Sequence, residues 1–237
     1  MPSLVRRSLG EAVGTFFLVL LGPGAIMVDE VTNHSFGGPV GVAFATAFGI
    51  LAIVYALGRV SGAHVNPAVT VALWSRRRFR GRDVPAYLVA QCAGAVLAIL
   101  VLRWIVGPVA SLGASLPAMP AVQSLVVEFL LSFLVMLTIM GVATNDRTGA
   151  GGAGGLAIGL VYGACFLVGA PFTGASMNPA RSFGPALLGG GWTMHWVYWV
   201  GPILGMIAAA WLYDFIRPSD AVPPGRPLGV QGPLQDA

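Results

Sequence analysis

The sequence predicts an all-α membrane protein in which six transmembrane helices and two re-entrant half-helices form an inverted repeat. Three observations carry this. Hydrophobic residues make up 56% of the 237 and charged residues only 9%, too little polar surface to cover a soluble globule of that length. Six apolar runs are long enough to cross a bilayer. Two further runs are too short, and each begins with Asn-Pro-Ala, at Asn66-Pro67-Ala68 and Asn178-Pro179-Ala180.

The six runs fall at 8–28, 39–57, 84–106, 122–143, 154–168 and 193–216. The first follows Arg6 and Arg7 as a signal peptide would, but it holds Glu11 and lacks a small-residue cleavage site, so it reads as a retained span. The two short runs are helix starts. Asn is a favoured N-cap, and Pro at the next position has no N–H to leave unpaired. The apolar stretches 69–74 and 182–188 then stop after reaching about half of a bilayer core roughly 30 Å thick.

Every basic residue is Arg, and almost all of them lie in the connections that a cytoplasmic N-terminus would place inside. Positive-inside sorting accounts for the net charge of +4 without nucleic acid as a partner, and it puts both termini on the cytoplasmic side of the cell membrane. The cluster from Arg76 to Arg82 reads as a topology determinant. Cys92 and Cys165 sit in separate apolar runs and imply neither a disulfide framework nor a metal site.

Asn66 and Asn178 are 112 residues apart, 178 less 66, and a Glu stands early in each half, at Glu11 and Glu128. The chain therefore reads as one transmembrane domain, 1–217, duplicated over about 1–115 and 116–217. With three full spans per half the second copy enters from the opposite face. Residues 218–237, rich in Pro and Gly, read as a disordered cytoplasmic tail.

Backbone that dips into a membrane is tolerated only where it is buried in protein or lines a wet cavity. Inverted symmetry brings both half-helix N-termini to the midplane, each with the positive end of its dipole and free N–H groups. That repels cations and offers donors to a molecule with a lone pair. Arg181 lies about one turn into the second half-helix, where the first has Val69. An intramembrane charge is by default a functional residue facing a wet path; the plainer alternative is an ion pair with a buried Glu. Because Glu11 and Glu128 recur in both halves and Arg181 does not, the Glu residues are assigned to structural support of the re-entrant loops.

The paired boxes, with Ser61-Gly62-Ala63-His64 before the first and Arg181-Ser182 after the second, resemble those of the aquaporins, the major intrinsic protein family. The resemblance covers about 8–216. It implies a homotetramer with one pore per subunit, in a lipid bilayer, passing water and small neutral solutes down their gradients. It also implies a four-residue outer constriction, the selectivity filter, at Thr46, Phe166, Ala175 and Arg181. Only the Arg is the family's usual residue. Thr46 replaces an aromatic, Phe166 stands where water-selective members have His, and Ala175 adds little bulk. Ser182, Ala186 and the pair Tyr198-Trp199 resemble the water-type scaffold, while 61–68 and 171–184 resemble the nodulin-like branch that the family links to metalloid acids and glycerol.

His64 either lines the pore vestibule or pins the first loop. No Ser, Cys or carboxylate partner at a recognisable spacing gives it a catalytic role. The expected function is a passive channel for water and small uncharged solutes such as glycerol, excluding ions and protons, with no cofactor and no enzymatic step. The alternatives are a strictly water-selective pore, a metalloid-acid and glycerol facilitator, and, from another class, an ion-coupled transporter. That last would place carboxylates in the path, and here the deep ones are the paired Glu11 and Glu128.

Overall fold

The computed structural model describes residues 2–143 and 153–217. The expected tail and the connection carrying Arg147 lie outside the described residues. Eight α-helices run in order: α1 (Leu4–Val31), α2 (Gly38–Ser61), α3 (Pro67–Ser75), α4 (Val84–Ile105), α5 (Ala121–Ala143), α6 (Gly154–Thr173), α7 (Pro179–Gly189) and α8 (Val197–Ile216). Among the described residues there are no strands, and six of the helices are long and apolar enough to cross a membrane. The other two, α3 and α7, have 9 and 11 residues and reach about 14 and 16 Å.

Helix ends differ from the expected runs where local chemistry was misleading. The fifth run was expected to end at 168, before Gly169-Ala170-Pro171, yet α6 continues to Thr173. Pro171 has no N–H to give the carbonyl four residues back, yet the helix runs two residues further and ends on Gly174, whose φ of 75° is the left-handed cap. The sixth run was expected from 193, but 193–196 form turns and α8 begins at Val197. The second helix runs past 57 to Ser61 and ends on Gly62, whose φ of 92° is the left-handed cap that Gly adopts without strain.

The two halves pack alike. α1 lies against α4 as α5 lies against α8, and α2 crosses α6 between them. A Cβ at Gly94 of α4 would strike the carbonyl oxygen of Ala12, and one at Gly205 of α8 would strike that of Phe129. Glycine is what lets each pair approach backbone to backbone, and an Ala at either site would push the helices apart. Outward, α1 carries a stripe of exposed Val5, Leu9, Val13, Phe17 and Leu21 at four-residue spacing, the surface an apolar solvent requires.

The uncharged connection from Gly107 to Pro120 is not a plain surface loop. Leu112 and Ser115 are buried, and Ala118 N–H donates to Phe172 O at 2.9 Å, so the segment folds inward against α6 and α7. Below α3 the Arg-rich turn is also structural. Arg76 Nε and Arg78 Nη2 donate to the two oxygens of Asp214 at 2.7 and 2.8 Å, and Arg76 lies over the Trp211 ring at 4.1 Å. Arg78 has a fully buried side chain. Topology alone would leave these charges in water; here two of them clamp the end of α3 to α8.

Candidate functional site

The site is built from the two segments that precede α3 and α7. In each, Asn is extended (φ −157° at Asn66, −154° at Asn178), and its side-chain oxygen caps the helix it starts. Asn66 Oδ1 accepts from Ala68 N at 2.9 Å; Asn178 Oδ1 accepts from Ala180 N at 3.0 Å and Arg181 N at 3.3 Å. Pro67 and Pro179 hold the first helical position, where the missing N–H removes a donor that nothing could satisfy. Ala68 and Ala180 are completely buried.

Upstream of each Asn, the backbone takes the same irregular path. Ala63 and Val65 have φ of 47° and 43°, and Ala175 and Met177 have 43° and 52°. Such angles are costly for residues with a Cβ, above all for β-branched Val65, and persist only when the surroundings dictate them. The two Glu residues dictate them. Glu11 Oε1 and Oε2 accept from the N–H groups of His64 (3.0 Å) and Val65 (2.6 Å). Glu128 accepts in the same way from Ser176 (2.9 Å) and Met177 (2.7 Å). Both carboxylates have no solvent exposure. Because a trans peptide points its C=O opposite to its N–H, the carbonyls of Ala63, His64, Ala175 and Ser176 face away from the carboxylates.

Each Glu also has side-chain partners: Ser61 bonds Glu11 as Thr173 bonds Glu128, and Gln91 is added in the first half. Gln91 Nε2 donates to Glu11 at 2.8 Å, and Thr173 Oγ1 donates to Glu128 at 2.7 Å. His64 belongs to the Glu11 cluster. Its Nδ1 lies 3.1 Å from Thr70 Oγ1, and its ring packs at 4.9 Å on Phe79 and 5.2 Å on Tyr87. These contacts hold its ring among α3, the turn after it and α4.

The two loops join at their tips. Asn66 Nδ2 donates to Met177 O at 2.8 Å, and Asn178 Nδ2 donates to Val65 O at 2.9 Å. Asn66 Nδ2 also lies 3.0 Å from Tyr162 Oη of α6. Two positive helix ends are thus bonded reciprocally inside the protein, with both Asn side chains buried.

Of the four positions expected in the filter, Arg181 is 5% exposed and donates from Nη1 to Ser115 Oγ in the inward-folded connection. It does not pair with a Glu among the described residues. Ala175 lies beside Gly169 of α6, and Phe166, buried, is three residues before that glycine on the same helix. Thr46 of α2 turns its hydroxyl toward Gly22 of α1, and that hydroxyl has no hydrogen-bond partner among the described residues. Cys92 and Cys165 are free, and no metal-binding cluster occurs among the described residues.

Sequence reasoning did not reach Tyr162, Ser115, Gln91, Thr173 or Asp214, since each acts through a partner far away in the chain. Of these, Thr173 leaves a signal when one half of the sequence is laid over the other, because it then falls on Ser61.

Comparison with known proteins agrees with this architecture. The family described as Major intrinsic protein matches residues 1–213. Aquaporin NIP1-1 of Oryza sativa subsp. japonica is 45% identical over 90% of this chain and 75% of its own length. Probable aquaporin AqpM of Archaeoglobus fulgidus is 43% identical over 90% of this chain and 98% of its own, and Nodulin-26 of Glycine max is 40% identical over 91% and 75%. Among solved structures, the aquaglyceroporin from Plasmodium falciparum superposes with a TM-score of 0.77 at 25% identity, covering 90% of this chain and 97% of that one. With a family match across nearly the whole chain and relatives at this identity, the chain belongs to the major intrinsic protein family.

Proposed function

We propose that the junction of Asn66 and Asn178 is the middle of a single conducting path through each subunit, and that Arg181 guards one entrance. The protein is a multi-pass membrane channel for water and small solutes such as glycerol, not an enzyme, as its family and relatives indicate. The strictly water-selective, metalloid-acid and ion-coupled alternatives are not favoured by them.

The observation that supports the path most is the reciprocal bonding of the two loops. Each Asn spends an N–H on the opposite loop, so the positive ends of α3 and α7 converge on one point. A cation there would meet two helix N-termini and, further out, the guanidinium of Arg181. A neutral hydroxyl compound meets the remaining N–H of Asn178 at the centre and the carbonyls of Ala63, His64, Ala175 and Ser176 on either side. Water and glycerol can exchange solvent hydrogen bonds for these at little cost.

Thr46, Phe166, Ala175 and Arg181 form the outer constriction in this reading, with Ser115 orienting the Arg. Glu11 and Glu128 hold the loops, and His64 contributes its carbonyl to the inner vestibule. The functional unit is a homotetramer in the cell membrane with both termini cytoplasmic, built on one domain, 1–217, whose repeats meet near 115. Stopped-flow light scattering on proteoliposomes tests the channel. Faster water and glycerol equilibration than in empty liposomes supports it; rates at background for both would overturn it.

A further inference from the structure

The donors at the loop junction are not equivalent. The Asn66 amide has two N–H groups. Its orientation is fixed because Oδ1 caps Ala68, and both hydrogens are spent inside the protein, one on Met177 O at 2.8 Å and one on Tyr162 Oη at 3.0 Å. Asn178 spends one on Val65 O, and no acceptor among the described residues takes the other. The residue of α2 that corresponds to Tyr162 in the other half is Ile50, buried and without any hydrogen-bonding group. Tyr162 is 6% exposed. Its oxygen accepts from Asn66, so the phenol hydrogen remains, and no acceptor among the described residues takes it.

Position along α6 gives this hydroxyl a second consequence. Tyr162 and Phe166 are four residues apart and share one face of the helix, with Tyr162 about 6 Å deeper. The outer constriction has small side chains at Thr46 and Ala175. An aromatic ring then follows one turn inside it, against the very amide that would otherwise face the path.

We propose that Tyr162 is a specificity-determining residue at the midplane of this channel, replacing Asn66 as donor to the permeating molecule and setting the width there. The proposal rests on the channel reading above. The solutes it sorts are polyols against water: a hydroxyl of either can accept from the phenol, but a carbon chain must also clear the ring.

The test uses the full chain in proteoliposomes at matched protein content, with the ratio of glycerol to water permeability as readout. With the empty-liposome rate subtracted from each, a loss of fold or yield scales both rates and leaves that ratio alone. Tyr162→Val removes ring and hydroxyl, and the ratio is expected to rise about threefold or more. Tyr162→Phe keeps the ring and removes only the oxygen, freeing the Asn66 N–H; a smaller rise is expected, and this variant carries the test if the Val variant does not fold. A wild-type ratio in every variant that reconstitutes would overturn the proposal. A wild-type chain no faster than empty liposomes would overturn the channel reading, and this assignment with it, before any variant is compared.

Discussion

Tyr87 and Tyr198 make the same hydrogen bond in the two halves of the molecule. Tyr87 Oη donates to Ser61 O and Tyr198 Oη to Thr173 O, each at 2.7 Å, and both rings are fully buried. The acceptors are the last residues of α2 and α6, so each Tyr ties off the carbonyl at a helix end where the chain turns into its re-entrant loop. Phe at either position keeps the packing and leaves that carbonyl unpaired. Each single variant is expected to lose about 1–3 kcal/mol of stability. Thermal unfolding in detergent checks this; similar losses for the two are expected, and a neutral Tyr198→Phe would deny the equivalence.

Glu128→Gln should be more damaging than its size suggests. The carboxylate accepts from two backbone N–H groups and from Thr173, whereas an amide offers one oxygen and presents an NH2 group to the other donor. The orphaned N–H costs about 1–3 kcal/mol, and the strained backbone at Ala175 and Met177 loses its restraint. The expected outcome is a lower melting temperature together with reduced water permeability per reconstituted subunit. Wild-type values of both would remove Glu128 from the support of the loop.

Arg181→Ala removes the deep guanidinium and leaves Ser115 without its partner. Solutes excluded by charge or size should then enter. Vesicle flux of a monovalent cation and of a larger polyol is expected to rise, with water flux retained. Unchanged selectivity would mean that the two half-helix termini suffice.

Thr46→Phe restores bulk at a position where the native side chain leaves its hydroxyl unpartnered beside Gly22. Glycerol permeability should fall by more than water permeability in the same vesicles. If glycerol flux keeps its wild-type level, Thr46 does not face the constriction.

How much of this the sequence shows depends on how local each signal is. The half-helices were legible because capping by Asn66 and Asn178 and the following Pro act within four residues, and the inverted repeat was legible because those signals occur twice. The end of α6 was not, since Pro171 reads as a breaker whether it stands in the last turn or beyond it. The clamp of Arg76 and Arg78 on Asp214, and the contact of Asn66 with Tyr162, join residues that no periodicity links. The inward fold of 107–120 was hidden for a different reason: an uncharged, Pro- and Gly-rich segment looks the same in sequence whether it lies on the surface or, like Ser115, reaches Arg181.

A pH effect is expected at the connection between α1 and α2. His34 Nδ1 lies 2.9 Å from Asp29 Oδ2, and the hydrogen bond and charge of Asp29 raise the His34 pKa above its ordinary 6.5. A raised folded-state pKa means the pair contributes fully below the unfolded value, and the contribution is lost as pH rises through the folded one. The difference in melting temperature between wild type and His34→Gln should therefore be largest near about pH 5 and shrink toward about pH 8. A difference that grows with pH would contradict the pairing. The side chain is open to solvent, so the effect should also weaken with added salt.

The most direct test of the account is to measure solute and ion passage in one preparation. Proteoliposomes of the wild-type chain, loaded with a pH-sensitive dye, would be followed for glycerol-driven volume change and for proton entry under an imposed gradient. The account predicts glycerol and water equilibration well above empty liposomes, with proton entry no faster than in them, because the termini of α3 and α7 oppose any cation where Asn66 and Asn178 meet. Proton entry that rises in step with glycerol flux would contradict it.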